Sequence, residues 1–189
     1  LLHQGFADGG ILSCAKHFPG HGDTSVDSHL HLPVVEKDLS DLEQGELIPF
    51  RALIEAGVPS IMTGHLALPR LDASGLPASL SKPVTGLLRA LGFDGAVLTD
   101  AMNMHALRGI APEPALLNLR AVQAGNDILC YPDRIPESIG LILKEVDRPC
   151  IEASFESVWK LKERAFNAPR NPVRPKYSPG ALNRKLAEH

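Results

Sequence analysis

The chain has 189 residues, 44% of them hydrophobic, and its 19 Lys and Arg stand against 22 Asp and Glu for a formal net charge of −3. That is the composition of one globular unit able to bury a core, and so even a charge balance gives no footing for nucleic acid or an anionic membrane surface. No run approaches the roughly 20 apolar residues of a membrane span, and no charged n-region with an apolar h-region opens the chain.

In chain order, residues 1–9 read as a helix end closed by the Gly9-Gly10 turn, feeding an apolar run, Ile11 to Ala15, that predicts a buried strand reaching His17. The stretch Lys16 to His29, KHFPGHGDTSVDSH, follows in the loop at that strand's end. It packs Lys16, three histidines and two aspartates around Pro19, Gly20 and Gly22. Such a density of titratable groups on a loop held by a strand points to chemistry. A helical pattern then covers residues 39–56 and stops at Gly57, and Ser60 to Thr63 predicts a second strand tipped by His65.

Ser81 is a helix cap with Pro83 in the first turn and Gly92 as the stop. GAVLT, residues 95–99, predicts a third strand ending at Asp100. A helix over 115–124 stopped by Gly125, a fourth strand DILC over 127–130, and closing helices over 138–145 and 152–166 complete the folded unit. The last of these carries Phe155, Val158, Trp159 and Leu161 on its apolar side. Residues 1–167 are therefore expected to fold. Residues 168–189, with four prolines and scattered Arg and Lys, are expected to be an irregular tail.

Strands alternating with helices indicate parallel β/α units. A polar residue stands at each strand's C-terminal end: His17, His65, Asp100 and, in the fourth, Tyr131 or Asp133. In a (β/α)₈ barrel the active site is built on that face. A complete barrel needs eight units and typically about 250 residues, so four units are half of one.

Spacing alone leaves several readings open. His17 and His21 are four apart, which on a helix suits zinc, but Pro19 and Gly20 oppose a helix there, and no metal is expected. Asp27 and His29 are two apart, so on extended chain a carboxylate can orient an imidazole as a general acid and base. The same pair also reads as a turn cap beside a solvated histidine, and His31 shares its phase. Asp100 suits a helix N-cap as well as a nucleophile. His65 suits a structural role as well as a ligand-binding one.

There is no GxGxxG or GxxxxGK motif, so no nucleotide cofactor is expected, and Ser28 lacks the GxSxG context of a nucleophilic serine. Cys14, Cys130 and Cys150 are odd in number and in no CxxC spacing, which predicts reduced thiols acting as small core fillers.

The KHFPGHGDTSVDSH stretch resembles the glycoside hydrolase family 3 pattern. With it go ELIPFRALIEAGVPSIMTGHLALP, PASLSKPVTGLLRALGFDGAVLTDAMNM and AGNDILCYP. The likeness is to the β-N-acetylglucosaminidase (NagZ-type) branch and runs from about Gly5 to about Phe166. It implies the C-terminal half of a TIM-type (β/α)₈ catalytic barrel, about four β/α units within residues 1–167, in a bacterial enzyme of peptidoglycan recycling.

The activity implied is release of terminal β-linked N-acetylglucosamine with retention, from a glycan or muropeptide. Asp100 would be the nucleophile and Asp27 with His29 the acid/base dyad. Lys16, His17, His65 and Met104 would bind the sugar. The implied partner besides the glycan is the missing N-terminal half of the barrel, and the expected compartment is cytoplasmic, with a secreted or periplasmic one left open by a start at Leu1. Two alternatives stand beside hydrolysis: phosphorolysis at the same site, and a non-catalytic sugar-binding fragment.

Overall fold

A computed structural model describes residues 2–21, 32–111 and 113–168. Asp27, His29, His31 and the tail 169–189 lie outside the described residues, so the expectations placed on them are taken up below only as a proposal.

The four strands are β1 (Cys14–Phe18), β2 (Ser60–Thr63), β3 (Ala96–Ala101) and β4 (Ile128–Cys130), all parallel and in the order β1-β2-β3-β4. Among the described residues seven α-helices accompany them: α1 (Leu2–Asp8), α2 (Leu39–Gln44), α3 (Leu47–Glu55), α4 (Lys82–Ala90), α5 (Pro114–Ala124), α6 (Ile135–Glu145) and α7 (Arg148–Asn167). Sequential parallel pairing through helical crossovers is the β/α pattern expected from the sequence.

Local chemistry sets the boundaries. Asp38 closes a capping box with Asp41 at the start of α2. Ser81 accepts from the Val84 amide to open α4, with Pro83 in its first turn. Gly125 ends α5 in the left-handed conformation, φ +107°.

Three expectations need correction. The helix expected over 39–56 is two, because the chain breaks at Gly45–Glu46 and restarts as α3. The first strand begins at Cys14 rather than Ile11, which is 58% exposed and finds no sheet partner. The cysteines are free thiols but not core fillers: Cys14 and Cys150 are exposed and Cys130 half-buried.

The core lies on the helix-covered side of the sheet. Ala15, Phe18, Ile61 and Val97 pack there with Leu42, Leu47, Phe50, Val84 and Leu88 from α2, α3 and α4. Phe18 and Phe50 meet edge to face with centroids 5.2 Å apart. Strand residues alternate between faces, so Met62, Leu98, Ile128 and Cys130 look to the other side, where they are only half-buried. A second cluster, Leu80, Met102, Leu107, Leu117 and Ala121, supports the connection leaving β3.

Along α7 the expected apolar side is only partly used. Phe155 and Trp159 stack at 5.9 Å but remain 64% and 51% exposed. The helix runs past the N-terminal ends of the strands, far in sequence from the polar strand tips. Arg164 donates to the Gly57 carbonyl before β2, and Ser154 donates to Asp127 before β4.

Candidate active site

Parallel pairing puts the C-terminal ends of all four strands on one rim. Three candidate residues are brought to that rim. Asp100 is not a helix cap, since it lies inside β3 and its Oδ1 accepts from the adjacent Ala101 amide at 2.8 Å. Its Oδ2 faces His17 Nε2 at 3.5 Å, an ion-pair distance when the ring is protonated, and the two side chains are 22% and 27% exposed. Like Leu98, and unlike the fully buried Thr99 between them, Asp100 is only half-buried.

Around His17, β1 is irregular. Its register with β2 shifts between Ala15 and Phe18, and the Lys16–His17 and Phe18–Pro19 peptides are cis. Lys16 is exposed beside it. The Gly20 amide donates to the His17 carbonyl at 2.8 Å, forming a tight turn with Gly20 at φ +133°. A Cβ on Gly20 would lie 2.5 Å from Glu46 Cγ, and one on Gly64 would lie 3.2 Å from His17 Cβ. Both glycines therefore let backbone and side chain approach where a larger residue would push them apart. The His17 and His21 rings sit 6.0 Å apart, edge to face, on turn rather than helix. Among the described residues no group of three or more His, Cys, Asp or Glu is arranged to hold a metal.

Met104 is half-buried four residues past Asp100. Its amide donates to the Ala101 carbonyl at 3.1 Å, so the chain folds back beside Asp100. Met104, with Met102, Asn103, Arg108 and Asp133, lines a cleft of about 260 Å³ next to the rim.

His65 is placed differently from the other three. It is 0% exposed, with Nδ1 2.7 Å from Ser79 Oγ and Nε2 3.0 Å from the Ala101 carbonyl. Burial pulls its pKa below the usual imidazole value. The Ala101 hydrogen bond and the Asp100 charge act the other way, and His17 acts with burial.

Two further groups, Cys130 and Asn126, were not among the expected site residues. Cys130 flanks Asp100 through the backbone: its amide donates to Thr99 Oγ1 and its carbonyl accepts from Met102. Burial raises its thiol pKa, and the Asp100 charge raises it further. Asn126, 1% exposed, donates to the Ser79 and Ala121 carbonyls and accepts from Thr63. Its only signal in the sequence is a polar residue between a helix stop and an apolar run.

Asp100 and His17 meet at the C-terminal rim of parallel β/α units, the face on which barrel enzymes build their active sites. The chain belongs to glycosyl hydrolase family 3, whose N terminal domain matches residues 2–157 and is a TIM-type barrel. It is 36% identical over 147 residues to the beta-hexosaminidase of Nitrosospira multiformis, an alignment covering 77% of this chain and 41% of that protein. With the beta-hexosaminidase of Chromobacterium violaceum it shares 41% identity over 110 residues, 57% of this chain and 30% of that one.

Among solved structures it resembles a glycoside hydrolase family 3 beta-N-acetylglucosaminidase from a Paenibacillus strain. The TM-score is 0.79 at 37% identity, over 94% of this chain and 35% of that one. The chain thus spans well under half the length of these relatives, and its four β/α units are half of a barrel of eight.

Proposed function

We propose that the chain carries the nucleophile side of a retaining exo-β-N-acetylglucosaminidase. The observation that bears most weight is Asp100. It is an accessible carboxylate at a strand tip, held by the Ala101 amide and faced by His17. In this reading Asp100 attacks the anomeric carbon through an oxocarbenium-like transition state while His29, oriented by Asp27, protonates the leaving oxygen. The ring then takes a proton from the attacking water, and the glycosyl-enzyme is released as free sugar. An imidazole with a pKa of about 6.5 holds or releases that proton near neutral pH without deep burial.

Lys16 and His17 bind sugar hydroxyls, and Met104 lines the pocket beside them. The relatives' names, beta-hexosaminidase and beta-N-acetylglucosaminidase, support N-acetylglucosamine as the sugar released. An N-acetylglucosamine-bearing glycan or muropeptide is then the substrate. Further β/α units pairing with the outer edges of β1 and β4 are the expected partner, supported by the relatives' greater length and by the half-buried apolar residues on the uncovered face of the sheet. Three free thiols support a reducing, cytoplasmic compartment.

The test is trapping with a fluorinated N-acetylglucosaminide followed by peptide mapping. The label is expected on Asp100 and absent from Asp100→Asn; label on any other residue overturns the assignment. Sugar 1-phosphate appearing when phosphate is added would replace hydrolysis by phosphorolysis.

A further inference from the structure

We propose that His65 is a positioning residue for Asp100. On this view it is a neutral imidazole fixed in its Nε2–H tautomer, acting through the Ala101 carbonyl and making no contact with sugar. The proposal rests on the reading of Asp100 as nucleophile, and one arm of its test does not.

The argument starts from hydrogen-bond chemistry. A backbone carbonyl only accepts, so the 3.0 Å contact between His65 Nε2 and the Ala101 oxygen requires a proton on Nε2. In the neutral ring Nδ1 is then an acceptor, and the Ser79 hydroxyl at 2.7 Å is its donor. Both nitrogens are thereby satisfied inside the protein, and the side chain is 0% exposed. No face of the ring is left to meet a ligand.

What the ring holds matters. Ala101 follows Asp100, and its amide donates to Asp100 Oδ1 at 2.8 Å while its carbonyl accepts from His65 and from the Met104 amide. The peptide unit on either side of Ala101 therefore sets both where the carboxylate points and how the chain turns toward Met104. Behind His65 the support is continuous. Ser79 is 0% exposed, its amide donates to the Gly64 carbonyl, and its own carbonyl accepts from Asn126 Nδ2 at 2.8 Å. Asn126 in turn accepts from Thr63 at 2.9 Å. The end of β2, the 3-10 turn at Ala78–Leu80 and the entry to β4 are thus tied to the tip of β3 by one fully buried polar chain, of the kind that fixes a single arrangement when every member is satisfied.

The charged groups influencing the ring are Asp100 on β3 and His17 on β1, and they oppose one another. A second proton on Nδ1 would turn the Ser79 hydroxyl from donor to acceptor and place a charge on a ring that is 0% exposed, and that burial favours the neutral form.

The test compares His65→Gln, which keeps an amide N–H near the Nε2 position, with His65→Leu, which does not. Circular dichroism confirms that each is folded. The first arm needs no turnover. Long-range ¹H–¹⁵N spectra of the chain are expected to show one His65 tautomer, protonated at Nε2, unchanged through the pH region about 6.5 where ordinary imidazoles titrate. The resonance of the Ala101 amide, which donates to Asp100 Oδ1, is expected to move in His65→Leu and return toward wild type in His65→Gln. A titrating or Nδ1–H ring, or an Ala101 amide resonance indifferent to both variants, overturns the proposal.

The second arm reads the fluorosugar. His65→Leu is expected to slow trapping on the order of 100-fold, the scale of a misplacement of about 1 Å. N-acetylglucosamine affinity is expected to stay within about 2-fold of wild type, and His65→Gln to recover most of the rate. Weakened sugar affinity with an unchanged trapping rate would make His65 a ligand instead. If wild type itself takes no label on Asp100, the nucleophile reading fails while the tautomer and the Ala101 amide resonance still decide the role of His65 toward Asp100.

Discussion

Asp100 and His17 come from strands separated in the sheet by β2, and their 3.5 Å approach depends on small groups between them. Gly64 is the tightest of these. Its amide donates to the Phe18 carbonyl, and a Cβ there would lie 2.8 Å from Leu66 Cδ2 and 3.2 Å from His17 Cβ. Gly64→Ala is therefore expected to push His17 away from Asp100 and slow glycosyl transfer to Asp100 by about 10- to 100-fold with the fold retained. Trapping kinetics alongside a thermal melt check this.

His65 carries a pH consequence for stability. Its folded pKa lies below the unfolded value of about 6.5, so in the interval between them the unfolded chain binds more protons than the folded one. The contribution is full above about 6.5 and is lost as pH falls through the folded value. Urea midpoints for wild type should drop on acidification across this window, and those for His65→Gln should drop less.

Individual elements hold together through a few long-range polar ties. Asp127, just before β4, accepts from the Val97 amide on β3 at 2.8 Å and from Ser154 on α7 at 2.7 Å, and it pairs with Arg89 on α4 at 3.4 Å. Burial raises its carboxyl pKa, a sign that these partners only partly offset desolvation. Asp127→Ala leaves the Val97 amide and the Ser154 hydroxyl without their acceptor and is expected to cost about 1–3 kcal/mol. Hydrogen exchange should show faster opening of α7 with less change in β2.

At the end of α5, Gly125 has φ +107° while the nearest atom to an added Cβ is Thr85 Oγ1 at 3.6 Å, ordinary contact. Gly125→Ala is thus a test of backbone conformation alone. It is expected to lower stability by about 1 kcal/mol, read from a urea midpoint at unchanged slope.

As a whole, the described chain is a sheet with its helix-covered face packed and its other face half covered. β1 and β4 each pair on one side only, and α6 shows Ile135, Ile139 and Leu143, 51–68% exposed and four residues apart. Unpaired edges and a continuous apolar stripe favour association. Sedimentation of the chain should reveal self-association rising with concentration and binding of an apolar dye. The part of the Nitrosospira relative that this chain does not span should reduce the dye signal when added. A dye-silent monomer at every concentration would remove the basis for expecting further β/α units as a partner.

Much of this was readable from residue order. Gly57, Gly92 and Gly125 mark helix stops, Ser81 with Pro83 marks a helix start, and the four apolar runs each became a strand. The errors have local causes: Gly45–Glu46 divides a pattern that is apolar on both sides, and Ile11 is apolar without a strand to pair with. Phe155 and Trp159 show that helical periodicity identifies an apolar side but not whether anything covers it.

The amino-acid order by itself determined the succession of parallel β/α units, their caps and the motifs of the family. Which polar strand tips share the rim was decided only by tertiary structure. His17 and Asp100 meet across the sheet, whereas His65 turns inward to a carbonyl 36 residues away. A side chain's direction at a strand end follows from register shifts and from partners distant in the chain, and neither is written in the spacing of neighbouring residues.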